Sequence, residues 1–211
     1  MYCKKLDFEP LPQYLKAESI HRFECIIEWF LREWGEKKGK EFQSYSGWET
    51  SNNSSLAYIG NLEKFVSKYG ETGAVSVTLF TDNLRDRVLD HYKDTDYFKG
   101  RSFHFQFIIG ASYVAPHVDP RHVRTKNLVY VLKTGGKKVK TVFYQPKEHL
   151  KHLDISDGVV IPYENLDVVE EHILKEDCWY ELDVSSIHSV ENIESLRLMI
   201  QVMVKEWDGT V

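Results

Sequence analysis

Apolar positions in the first part of the chain recur at steps of three and four. Ile20, Phe23, Ile26, Ile27, Phe30, Leu31 and Trp34 fall on one stripe between Glu18 and Lys38, and Gly35 and Gly39 close the run. An amphipathic helix is expected there. The polar stretch 43–55, QSYSGWETSNNSS, reads as a surface loop carrying Tyr45 and Trp48. A short helix ended by Gly70 is expected over 61–70, and AVSVTLF (74–80) has the look of a strand. Thr81 or Asp82 is placed to cap a helix reaching about Tyr92.

After Gly100 the period changes to two. In RSFHFQFII, Phe103, Phe105 and Phe107 alternate with His104 and Gln106, the repeat of a strand. Further short runs of this kind follow: NLVYVLK (127–133), KTVFYQ (140–145), GVVIP (158–162), VVEEHIL (168–174), CWYELDV (178–184) and LRLMIQVMV (196–204). Turn signals separate them at Gly135-Gly136, Asp157-Gly158, Glu176-Asp177 and Glu191-Asn192. Roughly eight short strands at spacings of about 8–15 residues imply a double-sheet jelly roll or barrel rather than a parallel α/β sheet. The expectation is one domain of α+β or mainly β class. Its helix-rich part, 1–99, packs on a β core that occupies 100–205.

Composition narrows the function classes. The chain has 211 residues, 42% of them apolar and 13% aromatic, enough for a substantial core. A formal charge of −5 and a pI near 6.0 give no basic field to steer nucleic acid. Cys3, Cys25 and Cys178 are odd in number and far apart, as free thiols of a reducing compartment would be. The opening MYCKKLDFEPLP lacks the apolar run of a secretory signal, and no stretch approaches the ~18 apolar residues of a membrane span. A cytoplasmic monomer or homodimer is expected, with neither membrane nor nucleic acid as partner. On that reading the glycosylation triplets at Asn52 and Asn53 carry no meaning.

Candidate chemistry centres on APHVDPR (115–121). With 9 histidines and 32 acidic residues, about one or two His-x-Asp/Glu triplets are expected by chance, and His152-Leu153-Asp154 is a second. Context separates them. His117 and Asp119 follow a strand and a tight Ala115-Pro116 approach, and residues i and i+2 of an extended segment point to one side. His152 and Asp154 follow the polar run PKEHLKHL, where solvated side chains are expected. His188, in SSIHSVEN near the end of the β core, offers a third ligand. Two imidazoles and one carboxylate on one octahedral face suit non-heme Fe(II), with three positions left open. Nine residues on, Arg197 lies in an otherwise apolar strand. A guanidinium facing the interior is costly unless it pairs with an anion, which a dicarboxylic cosubstrate would supply bidentately.

The order His-x-Asp, strands, His-x8-Arg, together with APHVDPRHVRTKNLVYVLKTGG and EDCWYELDVSSIHSVENIESLRLMI, resembles the Fe(II)/2-oxoglutarate-dependent oxygenases. These have a double-stranded β-helix (cupin-like) core, and the nearest flavour is aspartyl/asparaginyl- or prolyl-hydroxylase-like. The resemblance covers about 100–205. It implies Fe(II) held by His117, Asp119 and His188, with 2-oxoglutarate and O2 as cosubstrates and Arg197 on the far carboxylate. It also implies hydroxylation of an amino acid, a peptide or protein side chain or another small molecule, with release of succinate and CO2. Some branches carry a serine two residues after the arginine; here that residue is Met199, so the second hydrogen bond must come from elsewhere, with Tyr113, Asn127, Tyr130 and Ser189 as candidates. The lysines of KKVK after Gly135-Gly136 also depart from the pattern. Arg121, His122 and Arg124 follow the metal motif, where they would line the mouth and attract an anionic substrate. Trp48, with Tyr45, is a candidate lid against the substrate.

Rival readings remain. A cupin-type metal-binding protein would need the three ligands but not Arg197. A zinc hydrolase would need a nearby glutamate base, for which no candidate is well placed. A nucleic-acid demethylase would need a basic, aromatic strip, which is lacking.

Overall fold

The computed structural model describes residues 1–36, 45–46, 57–59, 74–79, 83–98, 102–108, 113–119, 125–148 and 161–204. Among them are two helices, α1 (Gln13–Glu36) and α2 (Asn83–His91), and twelve strands. The strands are β1 (Cys3–Lys5), β2 (Tyr45–Ser46), β3 (Ala57–Ile59), β4 (Ala74–Leu79), β5 (Ser102–Ile108), β6 (Val114–His117), β7 (Lys126–Lys133), β8 (Lys140–Pro146), β9 (Leu166–His172), β10 (Trp179–Asp183), β11 (Ile187–Glu191) and β12 (Arg197–Val204). All pairings are antiparallel. One sheet has the order β1-β10-β7-β12-β5-β4-β3-β2 and the other β6-β11-β8-β9, so the fold is mainly β.

Helix α1 starts five residues before the sequence pattern places it. Pro12 accounts for this: its carbonyl accepts the Lys16 N–H at 3.0 Å, and a proline has no N–H of its own to leave unpaired at a helix start. Leu15, Ser19 and Phe23, spaced by four, form its buried stripe. Helix α2 begins just after the proposed caps at 81–82, which lie outside the described residues, as does the helix expected over 61–70. Of the run GVVIP, only Ile161 and Pro162 are described; they precede a 3-10 turn (Tyr163–Asn165) instead of forming a strand. Three of the four turn signals fall on described residues, and each contains positive-φ backbone: Gly135 (84°), Gly136 (147°), Asp177 (60°) and Asn192 (60°).

Strand β7 shows how the layers stack. It is buried on both faces, unlike a sheet with one face in water. Leu128, Tyr130 and Leu132 pack with Leu198, Ile200 and Val202 of β12 against Leu15, Phe23, Leu84 and Val88 of the helices. On that side Trp179 is fully buried, with the rings of Phe98, Tyr130 and Tyr92 at 5.0, 5.2 and 5.5 Å. The alternate residues Val129, Val131, Met199, Tyr180 and Leu182 face the other way and pack on Phe143 of the smaller sheet. The result is a helix layer, a large sheet and a small sheet. Two residues apart means one face, so Arg197, Met199 and Gln201 all turn toward the space between the sheets.

Candidate metal centre

Two strands of the small sheet carry the histidines. β6 and β11 pair so that His117 stands directly opposite His188. Side chains opposite one another share a face, and here the ring centroids are 4.5 Å apart. That face is the inner one, because the His188 ring lies 6.1 Å from Phe143. Asp119 comes two residues after His117, and its N–H donates to the Val184 carbonyl at 3.0 Å, which ties the end of the metal motif to the chain leaving β10.

Backbone carbonyls orient both rings. His117 Nδ1 lies 2.8 Å from the Ala115 carbonyl, and His188 Nδ1 lies 2.9 Å from the Ser186 carbonyl. A carbonyl only accepts, so each Nδ1 carries a proton, and in the neutral ring each Nε2 presents its lone pair. This is the outer arrangement that orients metal-binding imidazoles. His117 Nε2 is 3.4 Å from Asp119 Oδ1, and one ligand atom from each of the three residues lies within 4.8 Å of the others. Donors on one octahedral face around an ion bonded at ~2.1 Å sit about 3 Å apart, so a small inward movement closes the set on one ion. Asp119 and His188 are 7% and 8% exposed, and two imidazoles with one carboxylate suit Fe(II) in donor chemistry.

Arg197, the first residue of β12, is 1% exposed. Its Nη1 donates to the Thr134 carbonyl at 3.0 Å, Nε has no partner, and no carboxylate among the described residues pairs with it. Burial pulls its pKa down to about 10. Gly135 makes room for it: at φ +84°, a Cβ there would stand 2.9 Å from Arg197 Cβ.

The remaining sequence candidates are scattered. Asn127 turns to the inner face of β7, 2% exposed, with Oδ1 unpartnered. Tyr130 turns to the helix side, where its hydroxyl donates to Asp177 and accepts from the Leu11 N–H. Ser189 follows His188 and so faces outward, hydrogen-bonded to Tyr144 and Glu191; Tyr144 in turn donates to Glu191. Tyr113 precedes β6, with its ring 6.4 Å from that of Tyr163. The geometry therefore brings neither Tyr130 nor Ser189 to the inner space, because strand alternation points each one away. Arg121, Arg124, Trp48 and the His152/Asp154 pair lie outside the described residues. Two inward polar residues escaped the sequence reading: Gln201 on β12, 5% exposed, and Thr141, 2% exposed, with an unpartnered Oγ1. The signal was present, since Thr141 shares the strand parity of Phe143. No helix among the described residues is long and apolar enough to cross a membrane.

The chain matches no family model and no curated protein. Among solved structures it is similar to a prolyl-4-hydroxylase of Pseudomonas putida, at 15% identity and a TM-score of 0.46, covering 97% of this chain and 92% of that one. It is also similar to YcfD, a ribosomal oxygenase from Escherichia coli in complex with cobalt and 2-oxoglutarate, at 12% identity and a TM-score of 0.40 over 83% of this chain. This chain spans 43% of YcfD's length. A cupin-like protein from Thermotoga maritima follows at 13% identity and a TM-score of 0.31, covering 64% of this chain and 70% of that one. Likeness at this level leaves the reaction to be argued from the residues themselves: two imidazoles oriented by backbone carbonyls, one buried carboxylate beside them, and an inward guanidinium with no carboxylate partner among the described residues.

Proposed function

We propose that the protein is a non-heme Fe(II)/2-oxoglutarate-dependent dioxygenase and that its two sheets form a double-stranded β-helix. It would hydroxylate an amino acid, a peptide or protein side chain, or another small molecule. The observation that carries this reading is the pairing of the His117, Asp119 and His188 cluster with Arg197, buried in the same sandwich without a carboxylate partner among the described residues. A protein that only stores a metal has no use for such a guanidinium, whose burial is costly until an anion arrives.

His117, Asp119 and His188 would hold the iron, two neutral nitrogens and one anionic oxygen leaving one face for other ligands. Bound there, Fe(II) supplies the redox chemistry that couples decarboxylation of 2-oxoglutarate to succinate and CO2 with oxidation of a substrate C–H bond. The Nδ1–H donations to Ala115 and Ser186 fix the orientation of both rings and leave each Nε2 for the metal. Arg197 would grip the distal carboxylate and so orient the cosubstrate along the sandwich. Burial of Asp119, His188 and Arg197 keeps water from the reacting groups.

The test is succinate formation from 2-oxoglutarate by the Fe(II)-loaded protein, with and without oxygen. Amino acids and peptides, free and amidated, are supplied because Arg121 and Arg124 follow the metal motif. Iron- and oxygen-dependent succinate is expected, falling at least ~30-fold in Arg197→Ala. No succinate with any substrate, together with no binding of 2-oxoglutarate, would leave a cupin-type metal-binding protein as the better reading.

A further inference from the structure

The turn that takes the chain from the large sheet to the small one also mounts the metal residues. β10 ends at Asp183 and β11 begins at Ile187, so residues 184–186 make the crossing. Two carbonyls of this turn meet the metal cluster: Val184 accepts the Asp119 N–H at 3.0 Å, and Ser186 accepts from His188 Nδ1 at 2.9 Å. The turn also grips the chain where it enters β7, because the Thr125 carbonyl accepts the N–H groups of Val184 and Ser185 at 3.0 and 3.2 Å. An aspartate and a histidine far apart in sequence are therefore set by one short link.

Asp183 holds that link in shape. Its Oδ1 accepts the Ser185 N–H at 3.1 Å and the Ser185 hydroxyl at 2.6 Å, and its Oδ2 accepts the Ser186 hydroxyl at 2.9 Å. A carboxylate only accepts, and hydrogen bonds to it are of the stronger kind, so one side chain fixes both serines. The carboxylate springs from a fixed base: Asp183 pairs with Lys126 of β7, and its N–H donates to the Tyr2 carbonyl at 2.8 Å. Val184, buried with Val129, Val131 and Phe143, anchors the turn from the core side. With its hydroxyl tied to Asp183, Ser186 cannot swing, and its carbonyl stays on His188 Nδ1.

We propose that Asp183 is a positioning residue of the metal centre: through the two serines it sets the Val184 and Ser186 carbonyls that aim Asp119 and His188. This rests on the reading of His117, Asp119 and His188 as metal ligands, and the experiment separates the two. The metal-free full-length chain is titrated with Co(II), followed by calorimetry and by the visible ligand-field bands of the ion. Asp183→Ala should weaken Co(II) about 10-fold and shift those bands, the lower end of what outer partners of metal-binding imidazoles contribute. Asp183→Asn, whose carboxamide can still bond both serines, should stay within about threefold of wild type with its bands in place. Ser186→Ala, which frees the His188 side alone, should fall between the two. Tyr130→Phe is the stability control. It removes a hydroxyl bonded to Asp177 and to the Leu11 N–H on the helix side, so the urea midpoint should fall while Co(II) affinity and bands stay unchanged. Wild-type affinity and bands in Asp183→Ala would overturn the assignment while the metal reading stands. Equal losses in Asp183→Ala and Asp183→Asn would also overturn it, since the hydrogen bonds to the serines would then not be what matters. Equal losses in Asp183→Ala and Tyr130→Phe would do the same, since lost stability alone would account for both. Should Asp183→Ala not fold, Ser186→Ala decides, and wild-type affinity and bands there overturn the assignment. If the wild type binds no Co(II), the metal reading falls and the assignment with it.

Discussion

Arg197→Met should make the ligand-free protein more stable while weakening its response to the cosubstrate. Burial holds the guanidinium's pKa at about 10, against an ordinary value near 12.5. That difference corresponds to about 3 kcal/mol of unfavourable desolvation. The substitution gives up the hydrogen bond to the Thr134 carbonyl, worth about 1–2 kcal/mol for a charged donor, and keeps much of the apolar stem. The balance is a gain of about 1–2 kcal/mol, or roughly 2–8 °C in Tm for a chain of this size. With Mn(II) present for both, 2-oxoglutarate at 100 times the wild-type Kd should add about 2.7 kcal/mol to the wild type and less than about 1 kcal/mol to the variant, which keeps the three metal-site residues, so the gap closes or reverses. Urea and thermal unfolding followed by circular dichroism, with and without these ligands, measure both effects. A ligand-free variant less stable than wild type by more than about 2 kcal/mol would refute the reasoning, because the guanidinium would then be satisfied by the fold itself.

Gly135→Ala places a Cβ at φ +84°, 2.9 Å from Arg197 Cβ and 3.1 Å from the Ser195 carbonyl. A loss of about 1–3 kcal/mol in urea unfolding is expected, together with weaker 2-oxoglutarate binding, and wild-type values for both would show that the contact relaxes freely. At alkaline pH, burial and then the charge of Glu170 push the Cys3 thiol up to about 12, and burial raises Tyr92 and Tyr163 to about 12 as well. Their protonated forms are favoured by folding, so the stabilisation is full below the unfolded values, near 9 and 10, and is lost as pH rises through about 12. The urea midpoint should fall steadily from pH 9 upward; a flat profile would contradict the burial of these groups.

The sequence alone determined which residues are chemically able to build the site and the general class of structure around them. Alternation of Phe103, Phe105 and Phe107, and of the apolar residues of 127–133 and 196–204, marked strands because side-chain direction has a period of two whatever the strand pairs with. The turns at Gly135-Gly136, Asp177 and Asn192 were visible because left-handed backbone selects particular residues. The short strands β6 and β11 were not marked, and they are the ones that carry His117 and His188: polar ligands interrupt the apolar alternation by which a strand is read. Pairing and facing were decided only in three dimensions. Register set His117 opposite His188, backbone carbonyls oriented both rings, and parity along β7 and β11 turned Tyr130 and Ser189 away from the inner space. Thr141 came into view the same way. Whether a buried hydroxyl finds a partner depends on long-range packing, which no local pattern of residues encodes.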